Sequence, residues 1–209
     1  MFVHTGVSTT ISSGLLGLEY IESTGTQYID TGIKASKNLK VEADIDVSAA
    51  SGWVMILGDY TNGSYFSWWR KDTTIYAYYG SNNKTLAELT GKRKYISNNA
   101  NNIWSIDTNK ITVTPNTSDF SKNGNNLYLF SVNNGGNYNK ASMKLYSCKI
   151  YDNGTLIRDF VPAKRISDGR SGLWDKVNLK FYTDENGGNF TAGTEKSAIA
   201  AIGTPIEYI

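Results

Sequence analysis

The clearest indication of the fold comes from one stretch, ASMKLYSCKIYDNGTLIRDFVPA, which covers residues 141–163. Side chains alternate in character along 141–152, and this period of two is typical of a β-strand whose faces meet different surroundings. Asn153-Gly154 favours the two-residue turn of a hairpin, because both positions tolerate a positive φ. The stretch therefore predicts two antiparallel strands. One face of the first strand would carry Met143, Leu145, Ser147 and Lys149, and the other Lys144, Tyr146, Cys148 and Ile150.

Similar patterns recur on both sides of this hairpin. Residues 39–47, LKVEADIDV, alternate strictly and predict a half-buried strand with one solvated face. Residues 65–71 and 73–80 flank a short polar turn near Asp72 and predict a second hairpin. The one helix candidate, 194–203, is short and lacks strong helix signals. Many short strands at hairpin spacing predict an all-β fold, in which two antiparallel sheets pack as a jelly-roll sandwich.

Composition limits the functional classes. The chain has 209 residues, of which 40% are hydrophobic, so a sizeable core is expected. It has 21 Lys and Arg against 19 Asp and Glu, and this balance gives little support for nucleic-acid binding by phosphate neutralisation. The single Cys148 excludes an internal disulfide, and the single His4 argues against a histidine triad or a histidine metal centre. A calcium site is possible in a fold of this kind, but the Asp residues in or beside turns lack the dense Asp-x-Asp-x-Asn spacing of an EF-hand loop, so we expect no metal and no cofactor.

The sequence carries no pattern of membrane insertion. No apolar stretch approaches the roughly 18 residues of a transmembrane helix. Residues 1–17 lack the basic and apolar regions of a signal peptide. Their small, polar and glycine-containing sequence predicts an N-terminal arm in front of the sandwich.

Three stretches resemble the LamG-like, concanavalin A-like lectin and glucanase jelly-roll domains that are common in proteins of gut bacteria and their phages. They are KLYSCKIYDNGTLIRDFVPAKR at 144–165, SGLWDKVNLKFYTDENGGNFTAG at 171–193 and LEYIESTGTQYIDTGI at 18–33. The resemblance implies a jelly roll over residues 18–193, with the arm at 1–17 and a tail at 194–209. It also implies that one of the two stacked sheets is curved, with a concave face that often binds ligands. Members include glycan binders, protein binders, glycosidases and structural modules, so the fold does not settle the function.

Three carboxylates are the catalytic candidates. Alternation places Glu42, Asp44 and Asp46 on one face of strand 39–47, with neighbouring groups roughly 6.5–7 Å apart. A retaining glycosidase needs two carboxylates about 5–5.5 Å apart, and some concanavalin A-like glucanases carry Glu-x-Asp-x-x-Glu on one strand. Here the third acid comes one residue early and is Asp, which departs from that motif. A solvated outer face with Lys40 as a neighbour is the favoured interpretation, and we expect no catalytic residue.

Aromatic side chains supply the ligand-binding candidates. In hairpin 65–80, alternation places Phe66 and Trp68 on one face and Tyr65 and Trp69 on the other. One set should enter the core and leave the other exposed. Sugar rings present C–H faces that pack on Trp and Tyr, and polar side chains supply directional hydrogen bonds. A two-layer core with tyrosines spread over the sheet is the alternative. The candidate ligand-binding residues are Tyr65, Trp69, Tyr76 and Tyr78, with Arg70 and Asn62 as hydrogen-bonding partners.

Together these observations predict a surface-displayed module without enzymatic activity that binds host or mucosal glycans. A phage virion fibre or capsid-decoration protein fits the resemblance and implies an extracellular, virion-surface location. On that hypothesis, residues 1–17 hold the chain to a capsid protein or to further copies of itself. Two alternatives stay open: a glycoside hydrolase of the concanavalin A-like glucanase class, and a purely structural protein-contact module.

Overall fold

Two β-sheets stack into a sandwich in the computed structural model, which describes residues 12–47, 52–61, 64–80, 82–88, 93–98, 103–106, 109–112 and 125–200. The pairings within each sheet are antiparallel, apart from one short parallel pairing of strand 132–133 with strand 53–61 and an isolated parallel bridge between Met55 and Lys140. The predicted all-β, two-sheet sandwich is confirmed. Within these ranges there is no helix that has the length and hydropathy to cross a membrane.

The strands are divided between the sheets as follows. The first sheet contains β1 (Ser12–Leu18), β2 (Ile21–Thr24), β4 (Leu39–Val47), β9 (Lys94–Asn98), β10 (Ile103–Ile106), β11 (Asn109–Thr112), β15 (Ser142–Asp152), β16 (Thr155–Arg165), β17 (Ser171–Asp175), β18 (Lys180–Tyr182), β19 (Thr191–Ala192) and β20 (Glu195–Ala200). The second contains β3 (Ile29–Lys34), β5 (Trp53–Thr61), β6 (Ser64–Lys71), β7 (Thr74–Gly80), β8 (Asn82–Glu88), β12 (Asn126–Leu129), β13 (Val132–Asn133) and β14 (Asn137–Tyr138).

The core lies between the two sheets. Along β4, every second side chain from Leu39 to Val47 is buried and the intervening ones keep partial exposure, so the predicted alternation is confirmed. From the facing sheet, Ile56, Phe66 and Trp68 belong to the same buried cluster. Each large apolar side chain removed from water contributes about 1.5–3 kcal/mol. Apolar contact between the sheets is therefore the main source of stability.

The predicted hairpin 141–163 is confirmed, with one correction. Strands β15 and β16 pair across Asn153 and Gly154, which adopt positive φ values of 47° and 79°. Strict alternation along β15, however, is wrong, because the pairing with β4 shifts by one residue between Leu145 and Ser147. This β-bulge changes which residues face inward, so the buried set continues with Cys148 instead of Ser147.

The chain ends differ from the prediction. The predicted arm at 1–17 overlaps β1, which pairs with β16 on one side and β20 on the other, so residues 12–17 belong to the sheet. Residues 1–11 lie outside the described part of the chain. The helix candidate at 194–203 is wrong over Glu195–Ala200, because these residues form β20 and pair with β1. The open edge of β1 supplies backbone partners, and such pairing overrides a weak helix propensity.

Candidate functional site

An aromatic cluster covers part of the outer face of the second sheet. The ring of Trp69 lies 4.3 Å from that of Tyr78 and 4.9 Å from that of Tyr60, centroid to centroid. Trp53 meets Trp69 nearly edge to face, at 5.6 Å and 86°. Tyr76 packs on Trp53 at 5.4 Å. We call these five residues the aromatic face.

Alternation along β6 separates this face from the core, as predicted. Phe66 and Trp68 are fully buried between the sheets, whereas Trp69 belongs to a separate cluster with Met55 and Val132. Val132 comes from the segment 131–140, which folds back against β5 and packs beside Met55. Val132 therefore contributes to the burial of Met55 and Trp69 beneath the aromatic face.

A β-bulge in β5 brings Tyr60 to this face. The pairing of β5 with β6 shifts between Met55 and Leu57, so residues after the shift exchange faces. Gly58 follows the shift at a φ of 129°, and a Cβ there would lie 2.1 Å from the carbonyl oxygen of Phe66. Only glycine allows the two strands to approach this closely. Tyr60 consequently shares a face with Trp53. In a regular strand the two residues, which are seven positions apart, would lie on opposite faces.

A pocket of about 200 Å³ opens in the aromatic face. Met55 and Trp69 are almost completely buried and form its floor, whereas Trp53, at 40% exposure, stands at its rim. Tyr60 and Asn139 complete the lining. The pocket combines apolar ring surfaces with a hydroxyl and a carboxamide, and none of these five lining residues carries a charge.

Asn139 is held in place by its backbone. Its carbonyl oxygen accepts a 2.9 Å hydrogen bond from the amide of Met55, and its φ is 41°. The left-handed region is accessible mainly to Gly, Asn and Asp, so an asparagine is a compatible residue here. Asn139 is exposed, and its carboxamide makes no hydrogen bond with the described residues.

The predicted ligand-binding residues separate into two groups. Trp69, Tyr76 and Tyr78 come together in the aromatic face, as the alternation indicates. Arg70 does not, because it is buried on the opposite side of β6 and donates to the carbonyl oxygens of Asp72 and, at 2.8 Å, of Val47. Burial lowers the pKa of its guanidinium, and its hydrogen bonds tie the end of β4 to the β6–β7 turn. Arg70 is therefore corrected to a structural residue.

The other two predicted residues, Asn62 and the side chain of Tyr65, lie outside the described part of the chain. The predicted ligand-binding residues do not include Trp53, Met55, Tyr60 or Asn139. Gly58 in the interior of a predicted strand was the available signal, since such a glycine often marks a bulge.

The three candidate carboxylates do share one face of β4, but two of them are already engaged. Asp44 accepts two hydrogen bonds from Arg93, at 2.7 and 2.6 Å. Glu42 forms an ion pair with Lys40 and accepts a 3.2 Å hydrogen bond from the Tyr151 hydroxyl. The guanidinium of Arg93 also stacks on the ring of Tyr146 in β15. Its hydrogen bonds to Asp44 raise the pKa of the guanidinium. This arrangement supports the predicted solvated outer face of the sheet.

A larger cleft, of about 480 Å³, lies beside β3 and β18. Its lining mixes charges of both signs, from Asp30, Arg158, Lys180 and Glu185. Arg158 is committed to the fold, because it donates to the carbonyl oxygens of Thr31 and Ile157 and lies 3.5 Å from a carboxylate oxygen of the buried Asp175. The aromatic pocket is therefore the better candidate for ligand binding.

No protein-family model and no curated protein matches the chain. Among solved structures, the chain resembles a point mutant of the NanB sialidase from Streptococcus pneumoniae, at 12% identity over 90% of this chain and 40% of that chain, with a TM-score of 0.49. NanB with Optactamide is similar at 11% identity over 88% and 39%, with a TM-score of 0.49. NanB sialidase from Streptococcus pneumoniae in complex with a substituted ethanesulfonate is similar at 11% identity over 90% and 40%, with a TM-score of 0.47. The chain thus spans about 40% of the length of these structures, and the likeness is one of fold alone.

The prediction of a module without enzymatic activity is corrected, because a fold of this kind does not exclude enzymatic activity. The similar structures are themselves described as those of a sialidase. The resemblance to concanavalin A-like domains is supported as far as the two-sheet, all-β sandwich.

Proposed function

We propose that the chain binds carbohydrate through the pocket of the aromatic face. The observation that carries this proposal is the position of Trp53, whose indole is 40% exposed at the rim of a pocket floored by Trp69. A sugar ring can pack its C–H face on such an indole, and the adjacent carboxamide of Asn139 can bond its hydroxyls. Apolar rings and polar groups therefore line the same small pocket.

The geometry favours a sugar over a protein partner. A stable protein interface buries roughly 800 Å² on each partner around a central apolar patch. Among the described residues of this face only Trp53 is exposed, because Met55 and Trp69 are buried and the three tyrosines keep partial exposure. A hydroxyl-rich ligand also matches the tyrosine and asparagine groups of the lining better than an aliphatic chain does.

A glycan array read with the full chain tests the proposal. We expect the wild type to retain a defined set of glycans and Trp53→Ala to lose them. The matched control is Trp174→Ala, because Trp174 is a half-buried tryptophan of β17 in the other sheet. Both variants are checked for an unchanged far-UV spectrum and melting temperature. Retention of no glycan by the wild type, or equal retention by Trp53→Ala, would overturn the proposal.

The location and the assembly of the protein are proposed separately from its ligand. Location on an extracellular or virion surface, and assembly with capsid protein or further copies through the N-terminal arm, stay proposals that rest on the sequence resemblance. Electron microscopy with an antibody against the chain would test them directly.

A further inference from the structure

We infer that the aromatic pocket takes a single uncharged pyranose ring, and that it selects neutral sugars over acidic ones. The inference rests on the proposed carbohydrate binding and concerns the class of sugar. It is carried by the size of the pocket and by the charges around it.

The pocket is small. Its volume of about 200 Å³ lies below the roughly 300–1,000 Å³ typical of sites for drug-sized ligands. A second sugar unit would therefore lie outside the pocket, and its contribution to affinity would be minor.

Among the residues that the structure describes, no charged side chain lines the pocket. Proteins recognise carboxylates best with the fork of an arginine, which makes two parallel hydrogen bonds. Arg70, which directly follows Trp69 in the sequence, is buried on the opposite face of β6 and donates hydrogen bonds to backbone carbonyl oxygens. A carboxylate in this pocket would lose its hydration without gaining such a partner, which disfavours acidic sugars.

Three charged groups of the described residues lie near the rim of the pocket. The ammonium of Lys71 lies 5.3 Å from the centroid of the Trp53 ring. Asp72 follows it in the exposed turn and accepts a 3.1 Å hydrogen bond from the amide of Gly52. The side chain of Lys140 is directed to the ring of Tyr28, at 5.8 Å. The exposed Lys71 and Asp72 have opposite signs and are screened by salt, so they add little preference for an anion.

Saturation-transfer NMR with matched sugar pairs tests the inference on the full chain. Methyl β-glucoside is compared with methyl β-glucuronide, and methyl β-galactoside with its galacturonide, since each pair differs only in a carboxylate at C6. We expect the neutral member of at least one pair to bind at least about tenfold more tightly than its acidic twin. Raising the salt concentration should leave the affinity of the neutral sugar unchanged.

The dependence of affinity on the length of the sugar oligomer supplies the second readout. Glucose and galactose oligomers of increasing length should bind within about threefold of the monosaccharide. Trp53→Ala should abolish the signal, and Tyr146→Ala, on the outer face of the other sheet, should not. If no sugar of either charge binds, or if binding ignores Trp53, the proposed function itself fails. If binding depends on Trp53 but the acidic twin is preferred, or affinity climbs steeply with length, only this inference is overturned.

Discussion

The amide of Met55 donates a 2.9 Å hydrogen bond to the carbonyl oxygen of Asn139, and this bond joins the floor of the aromatic pocket to its rim. Met55 belongs to β5, whereas Asn139 belongs to the segment 131–140 that folds back against that strand. The bond fixes the backbone of Asn139 at a φ of 41°. The position of the carboxamide at the pocket is thus set by a backbone contact between distant parts of the chain.

Replacing Asn139 with glycine separates the effect on sugar binding from the effect on stability. Glycine adopts a positive φ readily, so Asn139→Gly should change the free energy of unfolding by less than ~1 kcal/mol. It removes the carboxamide, and one neutral hydrogen bond of ~0.5–1.5 kcal/mol corresponds to a loss of affinity of about two- to twelvefold. Calorimetric titration with a sugar found on the array and urea unfolding measure the two effects. Asn153→Gly, at a φ of 47° in the β15–β16 turn, is the matched control. Equal affinity of Asn139→Gly and wild type would show that the carboxamide does not contact the sugar.

Gly58 predicts a large steric effect. A Cβ at this position would lie 2.1 Å from the carbonyl oxygen of Phe66, so Gly58→Ala forces β5 and β6 apart. Gly135 also has a positive φ, of 89°, but a Cβ there meets nothing within 4 Å. Both alanine variants carry backbone strain, and only the first carries the overlap. We expect Gly58→Ala to be ~1–3 kcal/mol less stable than Gly135→Ala in urea unfolding. Similar midpoints for the two variants would contradict the bulge geometry.

These residues show what the sequence could and could not predict. Alternation correctly separates Trp68 from Trp69, and the same period places Arg70 with Trp68 in the interior, so its assignment as a ligand contact was avoidable. The β-bulges after Leu145 and Met55 do not follow from the alternation. The extra residue of a bulge is defined only by the register of its strand with the neighbouring strand. Asn139 could not be predicted, since it reaches the pocket through pairing with a strand far away in the chain.

Cys148 provides a probe of global unfolding. Its side chain is completely buried between β4 and β16, where it lies opposite Ala43 and Phe160. Burial raises the pKa of the thiol, so at pH 8 the reactive thiolate is much rarer than in an exposed cysteine. We expect Ellman's reagent to react with Cys148 only at the rate at which the sandwich opens, and immediately in high urea. Fast labelling under native conditions would contradict the burial of β15.

Deletions at the N-terminus distinguish an assembly arm from a structural strand. Strand β1 lies between β16 and β20, and Leu15 and Leu18 contribute buried side chains. Deleting residues 1–17 removes most of β1, which separates β20 from the sheet and exposes the edge of β16. Deleting residues 1–11 leaves this strand intact. We therefore expect the shorter deletion to keep the melting temperature of the full chain and the longer one to lower it sharply.

Light scattering on the variant that lacks residues 1–11 then tests whether these residues assemble the chain. Strand β1 is intact in this variant, so a change in mass reports on assembly and not on damage to the sheet. A fall in mass to that of a folded monomer supports the arm as an assembly device, and an unchanged mass shows that residues 1–11 are not needed for it. Leu15→Ala is the control for β1, because it keeps the backbone of the strand and removes one buried side chain. Such a truncation costs ~2–5 kcal/mol, so Leu15→Ala should be destabilised while its mass stays that of the full chain. If the longer deletion melts at the same temperature as the full chain, β1 does not contribute to the sandwich as the structure indicates.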